Sequence, residues 1–369
     1  MAVPKSVLWE REPHTAAKHA LLNRYLQAWF PIMAKHFGSA GITFADAFAG
    51  PGEYTNSHES SPTIAMSNAL RAEVSQFRTP NRLLFLEAEA DRAKHLHDGL
   101  IEWFPTEHRP PSLDVNVVHG RCEVDLLTEL SRIGAWQGPI FVNLDGWGVD
   151  TPYDVVRRIG AQPSSEVLVT FQDQWFTRFA TLQEQPAGDR VFGDSEWREV
   201  TTLPTESKKA FLVTAYRKRL NAAGFKLSLT FEMVDEGGHA LFLVFGTTND
   251  KGFEKMKDAL WAVDPVAGGR FRDPRDPQQL SFDMSAPDFS PLRHEFVRLM
   301  TLHGAIDLAA LSRHALLETI YKPSHAKVAI DELLANGIVR PVSTGRSNEQ
   351  KVYRLANGGR PAERQSTLF

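Results

Sequence analysis

The sequence predicts an α/β protein: a largely parallel sheet closed by an antiparallel hairpin, followed by a small C-terminal module of helices and two strands. Short apolar runs alternate with helical patterns through the first half of the chain, which is typical of parallel βαβ units. Two β-rich runs then flank the Gly-Gly turn 235–238, as in a hairpin. We expect a first domain over 1–284, a second over 285–357 and a disordered tail over 358–369.

The first domain opens with a helix whose apolar positions recur at helical spacing over 14–36, with a kink or restart at Pro31. Ser61 is the expected N-cap of the next helix, with Pro62 at its first position. Five buried strands are predicted at 42–44, 82–87, 114–119, 139–144 and 166–171, with helices at 61–71, 90–103, 123–133 and 153–159. A helix over 207–222, hairpin strands at 226–234 and 240–246 and a helix over 251–263 complete a Rossmann-like sheet of the class I methyltransferase kind.

Composition restricts the class of protein. The 369 residues are 42% hydrophobic and 23% charged, as in a globular protein with a sizeable core. No apolar run approaches the ~18 residues of a membrane span, and the N-terminus lacks the pattern of a signal peptide. Cys122 is the only cysteine, so we expect a cytoplasmic protein without disulfides. Motifs of metalloproteases, serine hydrolases and P-loop enzymes are missing, and we expect no metal site.

The candidate cofactor loop follows the first strand. An apolar run ends at Asp46, and Gly50 and Gly52 would allow backbone N–H groups to face a ligand closely. Glu87 ends the next strand, where a carboxylate can accept from both ribose hydroxyls. The following helix starts about nine residues after the loop, whereas a pyrophosphate favours a helix that starts at once. S-adenosylmethionine therefore fits better than a dinucleotide; the alternative is a structural turn beside a solvent-facing acid.

Four more residues are candidate cofactor contacts. Phe48 and Pro51 lie within the loop, and Arg121 follows the third strand. Lys18, on the leading helix, could approach a cofactor carboxylate. A solvated surface charge is the alternative for Lys18.

The fourth strand ends in a candidate catalytic segment. Asn143 could accept a hydrogen bond from a target amino group, and Asp145 is an alternative acceptor or acid–base group. Trp147 could stack on a nucleic-acid base. Leu144 and Asp145 stand where amino-methyltransferases have two prolines. A simple polar strand end remains the alternative.

The C-terminal module reads as a winged helix, with helices at 291–302, 307–316 and 323–336 and strands at 338–343 and 351–355. Residues 285–369 hold 11 Lys+Arg against 8 Asp+Glu, a net charge of +3. Lys322, His325 and Lys327 lie on its candidate recognition helix and Arg346 on the wing, where phosphate contacts would suit them. Winged helices also dock proteins, so DNA, RNA and protein stay open. Residues 365–369 resemble a sliding-clamp peptide.

Taken in order, these stretches resemble the bacterial three-Cys-motif partner family (TcmP). The resemblance covers nearly the whole chain and implies a methyltransferase-like fold and a partner protein with three clustered cysteines. The family usually has Asp-Pro-Phe-Gly-Trp where this chain has Asn143–Trp147. We therefore expect a methyltransferase acting on a nucleic-acid base; the alternative is a catalytically inactive binding partner of the three-cysteine protein. The matching residues are 14–15, 18–19, 46–54, 61–62, 146–147, 155–159, 192–193, 196–198, 245–247, 256–257, 263–265, 321–323 and 325–327.

Overall fold

The computed structural model describes residues 6–71, 74, 76–146, 149–181, 186–234, 240–263, 270–272, 288–343 and 351–356. The chain divides into two compact units, Met1–Ser281 and Phe282–Phe369. Trp147, Arg346, the hairpin turn 235–238 and the tail 358–369 lie outside the described residues. The roles and structure predicted for them therefore stay predictions.

The first unit alternates strands and helices up to its fifth strand. These elements are α1 (Pro13–Phe37), β1 (Ile42–Asp46), α2 (Ser61–Ala69), β2 (Asn81–Glu87), α3 (Ala90–Trp103), β3 (Leu113–His119), α4 (Leu126–Arg132), β4 (Ile140–Leu144), α5 (Tyr153–Gly160) and β5 (Glu166–Phe171). There follow α6 (Asp173–Phe179), α7 (Pro186–Phe192), the 3-10 helix Glu196–Thr202, α8 (Thr205–Ala223), β6 (Leu227–Val234), β7 (Ala240–Thr247), α9 (Asp250–Val263) and β8 (Arg270–Arg272).

The sheet of this unit has the order β3-β2-β1-β4-β5-β7-β6-β8. Strands β1 to β5 are parallel, and β7 runs antiparallel to both β5 and β6. The predicted α/β class, with parallel strands closed by an antiparallel hairpin, is thus confirmed. The strand order reverses direction between β1 and β4, whose carboxyl ends lie side by side with Asp46 in register with Asn143. In open α/β sheets a ligand crevice forms at such a point.

Helices cover both faces of this sheet. Successive residues of a strand point to opposite faces, so each strand contributes side chains to both helix–sheet layers. Phe44 and Phe141 lie on the face covered by α1, whose Phe30 and Tyr25 rings are 6.4 Å and 5.4 Å from them, respectively. The alternating residues, such as Ala45, join the core on the opposite face. Helix α1 packs against α2 and α9, and α5 packs against α8.

Two local predictions need correction. Of the kink or restart predicted at Pro31, the restart is wrong: helix α1 runs through Pro31 to Phe37, with Phe30 and Met33 buried on either side of the proline. The N-cap of α2 is Ser60 rather than Ser61: the Ser60 N–H donates to the Thr63 hydroxyl at 2.9 Å in a capping box. Helices α6 and α7 were not predicted.

Glu166 is an ionisable side chain enclosed at the start of β5, with 1% of its surface exposed. The Tyr25 hydroxyl donates to its Oε2 at 2.6 Å and the Thr247 hydroxyl to its Oε1 at 2.8 Å. Burial raises the pKa of Glu166 to about 7, and these hydrogen bonds only partly oppose the shift. The folded protein therefore holds a proton here that the unfolded chain releases.

We expect this group to make the free energy of unfolding fall as the pH rises from 4.5, the ordinary pKa, to about 7. A carboxyl pKa raised on folding contributes stability at low pH and loses it as the pH passes through the folded value. The loss is about 3 kcal/mol. Glu166→Gln should remove that part of the pH dependence in urea titrations at pH 5 and pH 8. Exposed Glu102→Gln is the control; equal pH dependence in wild type and Glu166→Gln would contradict the prediction.

The second unit contains the three predicted helices, the two predicted strands and one further short strand. Its elements are α10 (Ser290–His303), β9 (Ile306–Asp307), α11 (Leu308–Glu318), α12 (Pro323–Ala335), β10 (Val339–Ser343) and β11 (Val352–Leu355). The strands form an antiparallel sheet in the order β10-β11-β9. Phe296, Leu311 and Ile330, one from each helix, are fully buried. In the described parts of both units, no helix is long and apolar enough to cross a membrane.

Candidate functional site

Asp46 lies at the carboxyl end of β1 with no exposed surface. Its Oδ1 accepts from the Phe48 N–H at 3.0 Å, and its Oδ2 accepts from the Asn143 side-chain amide at 3.2 Å. Burial raises the pKa of Asp46 to about 6, and hydrogen bonds from Ser61, Phe48 and Asn143 oppose the shift. Asp46 therefore stabilises the start of the loop through Phe48 and links β1 to β4 through Asn143. Both of its carboxylate oxygens accept hydrogen bonds inside the protein, and the cofactor contact predicted for Asp46 stays a prediction.

The structure requires glycine at positions 50 and 52 of the loop for different reasons. Gly50 and Gly52 have φ angles of +65° and +89°, a backbone region that side-chain-bearing residues rarely adopt. The Gly50 N–H donates to Glu87 Oε2 at 3.0 Å and is therefore engaged inside the protein, while a ligand contact by another backbone N–H of the loop stays a prediction. A Cβ on Gly52 would lie 2.7 Å from Leu96 Cδ1 of α3. The loop is thus shaped by internal contacts, and its glycines allow close packing.

Glu87, at the carboxyl end of β2, is bound by the backbone on both carboxylate oxygens. Oε1 accepts from the Glu89 N–H at 2.9 Å, and Oε2 accepts from Gly50 as described. An ionised carboxylate has about four acceptor positions, so two remain for another ligand. The position predicted for a ribose-binding acid therefore holds an oriented acceptor suited to a vicinal diol.

Trp9 contacts the loop at Gly50, and the sequence did not indicate this contact. Its ring atom Cη2 is 3.7 Å from the Cβ position of Gly50. Tyr54 meets the Trp9 ring edge-on at 5.7 Å, and the Arg92 guanidinium lies 4.8 Å from the ring centroid. The Thr55 N–H donates to the Trp9 carbonyl at 3.0 Å. No local pattern marks Trp9, because its neighbours are distant in sequence.

Asp145 follows β4 at the rim of the sheet and forms the charged centre of the site. The Lys18 ammonium lies 2.6 Å from both of its carboxylate oxygens, and the Thr170 hydroxyl donates to Oδ1. Burial alone would raise the pKa of Asp145, but the Lys18 charge and these hydrogen bonds together hold it below its ordinary value. Asp145 is therefore ionised, and 24% of its side chain is exposed.

Three side chains of the leading helix and the loop surround this carboxylate. Lys18 is only 16% exposed, so it is not the solvated charge considered from the sequence. Burial and the Lys18 charge lower the pKa of His19 to about 3, which keeps its ring neutral. Burial and the charges of Asp145 and Asp46 raise the pKa of Tyr54, which keeps its hydroxyl protonated. Only the family resemblance had included His19 and Tyr54, and Thr170 was missed altogether.

The remaining candidates of this unit have less direct positions. Phe48 packs on Gly146, where a Cβ would lie 2.6 Å from the Phe48 ring. Pro51 is buried within the loop. The Arg121 side chain is 70% exposed, with Glu123 4.0 Å away, and none of its described contacts reaches the loop.

In the second unit, the described candidates for nucleic-acid contact are engaged locally. His325 Nδ1 accepts from the Lys322 N–H at 3.4 Å, and its ring lies 5.0 Å from the Phe289 ring. His325 thus caps α12. Lys327 is exposed but forms an ion pair with Asp331 one turn away. Neither arrangement presents an unpaired charge to a ligand.

Comparisons with known proteins add weak structural likenesses. No protein-family model matches this chain, and neither does any curated protein sequence. Trm1 from Pyrococcus horikoshii in complex with S-adenosyl-L-methionine is similar at 12% identity over 95% of this chain and 93% of its own, with a TM-score of 0.39. The O-methyltransferase TomG from Streptomyces achromogenes in complex with SAM is similar at 14% identity over 66% and 92%, with a TM-score of 0.30. An O-methyltransferase from Bacillus cereus in complex with SAH is similar at 12% identity over 61% and 80%, with a TM-score of 0.28. At these values the likenesses assign neither a family nor a reaction to this chain.

Proposed function

We propose that this protein is an S-adenosylmethionine-dependent methyltransferase that acts on an amino group of a nucleic-acid base. The observation that carries the proposal is a pair of oriented carboxylates at the carboxyl edge of the sheet. Glu87 is fixed by Gly50 and Glu89 at the end of β2. Asp145 is held ionised by Lys18 and Thr170 at the end of β4. One suits a ribose diol and the other a target amine.

The loop and the residues beside it would hold the cofactor. Glu87 would accept from the two ribose hydroxyls at the acceptor positions that its backbone hydrogen bonds leave open. Trp9 and Tyr54 lie beside the loop, and the Arg92 guanidinium already lies over the Trp9 ring, so these aromatic rings suit a cationic group. When bound, S-adenosylmethionine supplies an electrophilic methyl group on its sulfonium. Asp46 acts indirectly, because it keeps the loop and Asn143 in place.

Asp145 orients the amine and favours the charge that develops on it. The amine N–H would donate to the carboxylate, which directs the nitrogen lone pair at the methyl carbon. As the nitrogen–carbon bond forms, the carbon–sulfur bond would break in line, S-adenosylhomocysteine would leave, and the extra amine proton would pass through Asp145 to water. The rate gain comes mainly from proximity. The low pKa of Asp145 makes it a weak base. A weak base suffices, because an alkylated base nitrogen is cationic and gives up its proton easily. Asn143 has its amide bound to Asp46, so Asp145 is the better candidate of the two.

The nucleic-acid substrate and the partner protein are further parts of the proposal. The described residues of the second unit hold 8 Lys+Arg and 6 Asp+Glu, a net of +2. Its three helices and antiparallel sheet suit a winged helix that binds nucleic acid. The resemblance to the three-Cys-motif partner family supports a three-cysteine protein as the working partner.

A catalytically inactive binding partner of that protein is the second candidate. The ion pair between Lys18 and Asp145 favours it, because the ammonium occupies the carboxylate that the amine needs. Leu144 and Asp145 also replace the two prolines of amino-methyltransferases. In this candidate the first unit docks the partner and the second contacts nucleic acid.

Cofactor binding and methyl transfer test the proposed function on the full chain. We expect S-adenosylmethionine to bind in calorimetry and to appear in mass spectra of the denatured purified protein. We also expect a tritiated methyl group to pass from it to total RNA or genomic DNA fragments, with the three-cysteine partner added in parallel. Cofactor binding without transfer in either mixture would favour the inactive partner, and no binding at all would contradict both the cofactor and the reaction.

A further inference from the structure

The hairpin of the second unit places two arginines face to face. Arg340 of β10 pairs in register with Arg354 of β11, and both side chains are exposed. Val339 and Tyr353, next to them along the strands, are buried on the opposite face. Directly opposed residues in an antiparallel pair have Cβ atoms about 4.5–5.5 Å apart. The two guanidinium groups therefore share one small area of surface.

The described acids of this unit do not pair with these two arginines. Strands β10 and β11 contain no acidic residue. Five of the six described acids bind other groups: Glu332 binds Arg293, Glu295 binds Arg298 and His314, Asp331 binds Lys327, Asp307 caps α11, and Asp288 accepts from the Ser290 N–H. Within the described residues, neither Arg340 nor Arg354 has an ion-pair partner. Like charges directly opposite each other destabilise a hairpin, so this arrangement favours an anion that lies between them.

We propose that Arg340 and Arg354 together bind a backbone phosphate of the nucleic acid. Guanidinium groups stay charged at all relevant pH values, and their N–H forks match phosphate oxygens in bidentate pairs. Most protein contacts to nucleic acid are to phosphate and sugar, and they fix the register of the protein on the strand. This inference rests on the proposed function and deepens it, since it assigns the substrate contact to the hairpin and not to Lys322, His325 and Lys327.

An acidic protein fits this surface less well. Protein interfaces are centred on buried apolar and aromatic anchors. On the described strands of the hairpin, the only large exposed hydrophobic side chain is Val342, at 49% exposure. Lys351 adds a third positive charge next to β11. A polar, positively charged surface with little apolar area is typical of phosphate contact.

Fluorescence anisotropy of the full chain tests the inference, with labelled duplex DNA, single-stranded DNA and single-stranded RNA of equal length as probes. Arg340→Gln and Arg354→Gln should each weaken binding of the preferred probe about tenfold at low salt. The double variant should also reduce the slope of log affinity against log salt by about 1, because the two guanidinium groups share one phosphate. Arg298→Gln is the matched control, because it removes an exposed arginine whose charge Glu295 already balances.

Binding by the double variant with unchanged affinity and slope would overturn the inference, as would wild-type protein that binds none of the three probes. A poly-glutamate peptide that competes as well as the nucleic acid would also overturn it and indicate an acidic protein partner. Calorimetry with S-adenosylmethionine separates this result from the proposed function. We expect equal cofactor affinity in wild type and double variant; wild-type protein that binds nucleic acid but no cofactor contradicts the methyltransferase alone.

Discussion

Glu87→Gln should lower the affinity for S-adenosylmethionine about 100-fold or more. The amide would lose the charge that strengthens two ribose hydrogen bonds, each worth about 1.5–3 kcal/mol. It would also place an NH2 donor against the N–H of Gly50 or Glu89, because both carboxylate oxygens accept from the backbone. No orientation of the amide satisfies both donors. Isothermal titration calorimetry measures the loss.

Glu89→Gln is the matched control for this variant. Glu89 is exposed, and it contributes only its backbone N–H to the carboxylate of Glu87. We expect its cofactor affinity to equal that of wild type. Thermal unfolding should show that both variants are folded. Wild-type affinity in Glu87→Gln would remove Glu87 from the cofactor site and leave a structural role at the Gly50 turn.

Asp145→Asn should reduce methyl transfer about 100- to 1000-fold while cofactor affinity changes only a few-fold. The variant removes the negative charge that faces the developing positive charge on the amine, and such preorganised groups commonly contribute rate factors of this size. It also leaves the Lys18 ammonium without its charged partner at the position of the amine. Initial rates with tritiated cofactor and excess RNA or DNA measure the effect.

Two further variants serve as comparisons for Asp145→Asn, one with an intermediate expected effect and one as a control. Thr170→Val removes one hydrogen bond to Asp145 but keeps the Lys18 pair, so we expect a loss of about tenfold. Asp154→Asn removes an exposed carboxylate that pairs with Arg157 on α5, and we expect no change. If Asp145→Asn transfers methyl groups at the wild-type rate, Asp145 does not bind the amine, and the ion pair with Lys18 is structural.

Much of the fold could be predicted from the sequence because the patterns that determine it are local. Helix 90–103 and strand 166–171 match the structure at both ends, since each is a periodic or apolar run between clear breaks. The N-cap of α2 was harder to predict than the extent of these elements. Ser60 and Ser61 are adjacent hydroxyl residues, and only the backbone geometry selects Ser60 as the cap of α2. Helices α6 and α7 were missed because helices of seven residues are too short to show a clear period.

The sequence by itself determined that acids end β1 and β2, that polar groups end β4, and that parallel strands bring these ends to one edge. It could not determine where each side chain points. Asp46 and Asn143 bind each other, whereas Asp145 faces the rim and pairs with Lys18, 127 residues away. Such choices depend on burial and on partners distant in the chain, since an enclosed polar group must find a hydrogen bond where the fold offers one. Tertiary structure therefore decided which of the predicted residues stabilise the loop and the strand ends, and which carboxylates remain available to a ligand.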